Sequence, residues 1–171
     1  MKTKAFFALL LASFLAHAGP VEDEFLNGGP FEEFTVVADG TPTPFMTGYQ
    51  PKHKLCQLLT NTAAKQPTGL ALKIARLHEA GHCHALRLGL QDINGGVTKY
   101  GEAFGDVFVL AWISKHEPEN LDRALELLFA ERGMNRQVDG AYNTLFVMRR
   151  ARMSLPSNKD PIQFTVDMLA P

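Results

Sequence analysis

Apolar residues recur at helical spacing through the middle of the chain. Leu70, Ile74, Leu77, Gly81, Ala85 and Leu88 share one face of a helix that begins at Thr68 or Gly69 and stops at Gly89. Residues 92–96 read as a loop. A second helix follows over residues 98–114, where Val107, Phe108, Leu110, Ala111 and Trp112 leave almost no polar face. Such a helix belongs in a core. A third is predicted over residues 119–132, with Pro118 suited to its first turn and Gly133 as its stop. Asp139 caps a fourth that runs through Tyr142 and Phe146 to Met153, and Asp160-Pro161 opens a last short one.

The N-terminal part is patterned differently. Phe34-Thr35-Val36-Val37 has strand composition, Asp39-Gly40 signals a turn, and Phe45-Met46-Thr47-Gly48-Tyr49 follows Pro42 and Pro44. A small sheet or hairpin is expected there. Residues 55–64 read as a short helix, ended by Gln66-Pro67. The expected class is mainly α (α+β), a helical domain with a small N-terminal β-sheet or hairpin.

The first 18 residues stand apart from this fold. Lys2 and Lys4 precede an apolar run from Ala5 to Leu15, and Ala16-His17-Ala18 offers a cleavage site, the three parts of a signal peptide. The run is too short to span a bilayer comfortably. The expected organisation is a signal peptide over 1–18, a flexible acidic, glycine-rich arm over 19–30, and one domain over 31–171. No later segment is apolar enough to cross a membrane, so the expected location is the periplasm or the exterior. Without Lys2 and Lys4, the 17 basic residues become 15 against 18 acidic, a net of −3. That charge gives no case for nucleic acid as a partner. Export also bears on Cys56 and Cys83, the only cysteines. An oxidising compartment favours a disulfide between them, worth about 3 kcal/mol through the unfolded state, against the alternative of two buried thiols.

The chemistry sits on the two central helices. His78-Glu79-Ala80-Gly81-His82 is H-E-x-x-H. Histidines four apart stack one turn above the other, so both imidazoles reach one Zn²⁺, and Glu79 projects beside the metal where it can take a proton from bound water. A catalytic zinc needs a third protein ligand. The metzincin continuation fails, because its glycine and histidine positions are Ala85 and Leu88. Glu102 and Asp106 are better placed, four apart on a helix otherwise too apolar to carry them. One carboxylate can bind the metal, and the other can accept the free ring N–H of a ligating histidine.

His78-Glu79-x-x-His82 followed by Glu102-x-x-x-Asp106, with nineteen residues between His82 and Glu102, resembles the gluzincins, the thermolysin-like zinc peptidases. The likeness spans residues 70–115. It implies a zincin-like fold, one Zn²⁺ per chain held by His78, His82 and Glu102, Glu79 as general base, and Asp106 behind His78. It also implies peptide or protein as substrate, laid along an edge strand ahead of the metal helix. Gly101 and Gly105 stand where the thermolysin helix carries asparagine and serine, and no calcium site matches. The alternative is a non-catalytic exported metal-binding or interaction module on the same scaffold. An oxyanion donor is sought among Tyr142, Tyr100 and His116, with Tyr142 preferred for its place on a separate helix. His84, two residues past His82, is expected to be exposed. Arg136, Arg149, Arg150 and Arg152 read as a solvated face.

Overall fold

The computed structural model describes residues 31–36, 44–50, 52, 55–90, 98–135 and 143–170. Among the described residues three strands, β1 (Phe31–Val36), β2 (Phe45–Gln50) and β3 (Leu55–Asn61), precede five helices. These are α1 (Gly69–Arg87), α2 (Lys99–His116), α3 (Leu121–Asn135), α4 (Leu145–Met153) and α5 (Pro161–Leu169), with a 3₁₀ turn over Pro118–Asn120 before α3. The chain is thus mainly helical with a small N-terminal sheet. The expected signal peptide over 1–18 and acidic arm over 19–30 lie outside the described residues.

The sheet has the order β1-β3-β2, with β3 parallel to β1 and antiparallel to β2. The expected helix over residues 55–64 is therefore wrong, because β3 occupies that stretch. Its burial has a period of two, with Cys56 and Leu58 inside and Gln57 and Leu59 half-buried. As the central strand it pairs its backbone on both sides, whereas an isolated ten-residue helix is marginal. Asn61 ends the strand, its Oδ1 accepting from the backbone N–H groups of Ala63 and Ala64.

Helix α2 is the axis of the molecule. Every residue from Gly101 to Ser114 is buried, and α1, α3, α4 and α5 pack around it. Thr98 caps it, its hydroxyl accepting from Gly101 N–H at 3.0 Å. Helix α1 ends near the expected glycine, with Gly89 at φ +69° just beyond its last turn. Leu88 falls outside the core that its spacing predicted. It is the C-cap, 51% exposed, where the chain is already leaving the helix. Helix α3 runs on through Gly133 to Asn135, since an exposed helix tolerates one glycine. Helix α4 begins at Leu145, and the expected cap Asp139 lies outside the described residues. Asp160 and Pro161 open α5 as expected, with Asp160 Oδ1 accepting from Ile162 N–H at 2.9 Å.

Cys56 of β3 and Cys83 of α1 form a disulfide, with Cα atoms 5.9 Å apart. It bolts the central strand to the metal-motif helix one residue after His82. The second tie between sheet and helix is Thr47 of β2, whose hydroxyl reaches Glu79. Sheet and helix therefore hold the motif from one side while α2 holds it from the other.

Candidate metal centre

His78 and His82 stand one turn apart on α1, and the contact that brings α2 to them is made by glycines. A Cβ on Gly81 would lie 2.7 Å from Gly105 Cα, so the two helix backbones touch there. A Cβ on Gly105 would lie 2.5 Å from the His78 ring. Gly105 thus makes the space in which that imidazole lies close against α2. Gly105→Ala must displace the ring, and we expect zinc affinity to fall about 10- to 100-fold. Gly133→Ala, with nothing within 4 Å of the added carbon, is the control that should leave affinity unchanged. Isothermal titration of both variants checks this, and wild-type affinity in Gly105→Ala would sink it.

Opposite the histidines, the first turn of α2 supplies Glu102. His78 Nε2 and His82 Nε2 are 3.0 Å apart, His78 Nε2 is 3.4 Å from Glu102 Oε2, and His82 Nε2 is 3.5 Å from Glu102 Oε1. Ligands about 2.0–2.1 Å from one tetrahedral ion lie about 3.3 Å from each other. The two ring nitrogens and the two oxygens of the Glu102 carboxylate are therefore spaced as the ligands of a single zinc would be. No known family, curated protein or solved structure matches this chain. The geometry nonetheless matches a gluzincin-type zinc-protease site. His78, His82 and Glu102 make up a cluster able to hold one metal ion, and a tetrahedral zinc held by these three would have its fourth position for water or substrate.

Asp106 sits one turn beyond Glu102, fully buried, with Oδ1 3.0 Å from His78 Nδ1. It fixes the ring so that Nε2 faces the cluster. The sequence reading missed what lies behind it. Arg132 of α3, 3% exposed, donates to Asp106 from Nε at 2.8 Å and from Nη2 at 2.7 Å, and its Nη2 is 3.0 Å from Glu102 Oε2. The Thr144 hydroxyl donates to Asp106 Oδ2 at 2.5 Å. Each buried carboxylate is thereby paired, as burial demands.

These contacts set the charges. Burial alone would push His78 down, but the Asp106 and Glu102 carboxylates outweigh it and raise its pKa to about 10. Burial works to raise Glu102, and hydrogen bonds from His78 and His82 overcome it and hold the carboxyl well below its usual range. Asp106 follows the same pattern, brought to about 2 by His78 and Arg132 against its burial. Burial opposes the charge of Arg132, yet Asp106 and Glu102 keep it a firm cation. Without metal the cluster is a pair of ionised carboxylates sharing cations, and a divalent metal would displace the His78 proton and take over its charge.

The other candidates separate clearly. His116 stacks on Trp112 at the far end of α2, about 21 Å along the helix from Glu102, too far to serve the cluster. Tyr100 is two positions from Glu102, about 200° around the helix, and exposed. Tyr142, like Arg136, lies outside the described residues. Arg149 lies over the Phe129 ring and Arg152 pairs with Asp122, so the basic residues of α4 are partners of surface groups.

His84 corrects an expectation. It is 6% exposed, not solvated, and packs against Phe108 with ring centroids 5.1 Å apart. Seven residues from Leu77, it shares the core face of α1. Burial, helped by the charge of Arg87, lowers its pKa from 6.5 to about 4. The folded state therefore holds His84 neutral, and the unfolded state binds the extra proton between those values. Stability from this residue is complete above pH 6.5 and is lost as pH falls towards 4, by about 3 kcal/mol in all. Melts of metal-free protein from pH 7 to 4.5 should show a steeper acid loss for wild type than for His84→Leu. Parallel profiles would refute it.

Proposed function

We propose that this chain is an exported zinc-dependent metallopeptidase, hydrolysing peptide bonds with Glu79 as general base. The observation that carries this reading is a three-ligand cluster with a glutamate retained beside it. Structural zinc sites usually close with four protein ligands, whereas catalytic ones keep a position open. Zinc held there would polarise the scissile carbonyl and lower the pKa of a water to about 7. The chain's own groups do the rest. Glu79 takes the proton of the attacking water on its carboxylate and returns it to the leaving amine. Asp106 and Arg132 keep His78 and Glu102 oriented through both transfers.

The substrate would lie along β2. Among the described residues this strand pairs only with β3, and an extended peptide would add along its other edge. Beside it, Phe45, Ile74, Ala75 and Leu128 line a pocket together with His78, Glu79 and Glu131. Those walls suit an apolar side chain next to the scissile bond. Tyr142 is retained in the proposal as oxyanion donor on its sequence position alone. Export is supported by the signal-peptide pattern of residues 1–18 and by a disulfide, which favours an oxidising compartment. No helix among the described residues is long and apolar enough to cross a membrane.

The test is zinc content together with turnover. The purified protein should bind one zinc per chain and cleave a mixed peptide library, Glu102→Ala should lose most of the metal, and a chelator should stop cleavage reversibly. A zinc-loaded protein that cleaves nothing in the library would leave a metal-binding module instead.

A further inference from the structure

The hydroxyl of Thr47 lies 2.7 Å from Glu79 Oε2 and 2.8 Å from the Glu79 carbonyl oxygen. Both acceptors belong to one residue, and that residue is the proposed general base. The placement follows from the strand. Phe45, Thr47 and Tyr49 share the side of β2 that meets α1, and Phe45 is buried and lines the same pocket as His78 and Glu79. Opposite Thr47 in the sheet stands Leu58, itself buried, which leaves the strand little freedom to shift.

A threonine hydroxyl carries one proton and serves one of these acceptors at a time. The Glu79 carbonyl already accepts within the helix, so it does not need a second donor. An ionised carboxylate gains more, because a hydrogen bond to a charged acceptor is roughly twice as strong as a neutral one. The hydroxyl therefore holds the side-chain oxygen in preference to the carbonyl.

We propose that Thr47 is the positioning residue of the general base, its hydroxyl holding the Glu79 carboxylate in place against α1. This rests on the peptidase reading above. The proton of Thr47 stays on Thr47 throughout. Glu79 gains the water proton on Oε1, the oxygen that Thr47 does not hold, and gives the same proton to the leaving amine. Since Thr47 belongs to β2, the base is registered against the strand proposed to align the substrate. A change in that strand's position then moves base and substrate together.

Two variants and two readouts test this. Thr47→Val keeps the shape and removes the hydroxyl, whereas Thr47→Ser keeps the hydroxyl. Thr47→Val should lower kcat about 10- to 100-fold with KM and zinc affinity unchanged, and Thr47→Ser should recover most of that loss. In metal-free protein, the melting-temperature losses of Thr47→Val and Glu79→Ala should be less than additive in the double variant. Full kcat in Thr47→Val, an equal fall in Thr47→Ser, or additive melting losses would each overturn the proposal. Sub-additive melting of the metal-free protein, with no peptide hydrolysed once zinc is loaded, would overturn the peptidase reading instead, and with it the catalytic use of this contact.

Discussion

Glu79→Gln should lower kcat by about 10³-fold while the protein keeps its zinc. Glu79 is not one of the three ligands, which are His78, His82 and Glu102. Glutamine has the same length and can still meet the Thr47 hydroxyl, through its amide oxygen where the carboxylate accepted before. What it loses is the capacity to take a proton at neutral pH. The substitution therefore separates metal binding from proton transfer, which Glu102→Ala cannot do. Steady-state kinetics on one good peptide, with zinc measured on the same sample, is the check. If Glu79→Gln stayed within about tenfold of wild type, well short of a general base's usual contribution, proton transfer would have to be assigned elsewhere. If it lost zinc as well, the ligand set itself would need revision.

The two helices that carry the site were legible because their chemistry and their periodicity agree. Glu102 and Asp106 interrupt an apolar run at a spacing of four, and nothing but a paired or metal-bound role explains carboxylates there. The arginine behind them was legible too, but only to a reading that asks which face each charge falls on. Leu121, Ala124 and Leu128 mark the buried face of α3, and Arg132 continues that series at the next step of four. A charge on a core stripe is as strong a signal as a carboxylate on one. His84 was misjudged by comparing it with His82 alone, when its spacing to Leu77 places it inside.

Strand β3 marks the limit of local reading. Nothing within Leu55-Cys56-Gln57-Leu58-Leu59 decides between helix and strand, and the decision comes from β1 and β2, which pair with it from either side. Thr47 is similar. Its hydroxyl has no meaning until a strand and a helix 32 residues apart are packed together. Fold class and ligands follow from periods within single elements. The groups that position the ligands depend on which elements meet.

Arg132→Met should be the most destabilising single change near the site, at about 3–5 kcal/mol. Methionine fills much of the arginine's volume, so the loss is mainly of charge. Asp106 is fully buried and would keep only His78 and Thr144, while Glu102 would lose its second cation. For a chain of this size the melting temperature should fall by roughly 10 °C or more. The loss should be larger without zinc than with it. In the loaded protein the metal takes over the neutralisation of Glu102, and only Asp106 remains short of charge. Arg132→Lys should recover less than half, because a single ammonium cannot reproduce the paired Nε and Nη2 bonds to one carboxylate. Calorimetric melts of the three proteins, with and without zinc, decide the matter. A wild-type melting temperature for Arg132→Met would mean that the buried carboxylates do not depend on this arginine. An equal loss with and without zinc would mean that the metal and Arg132 do not share Glu102.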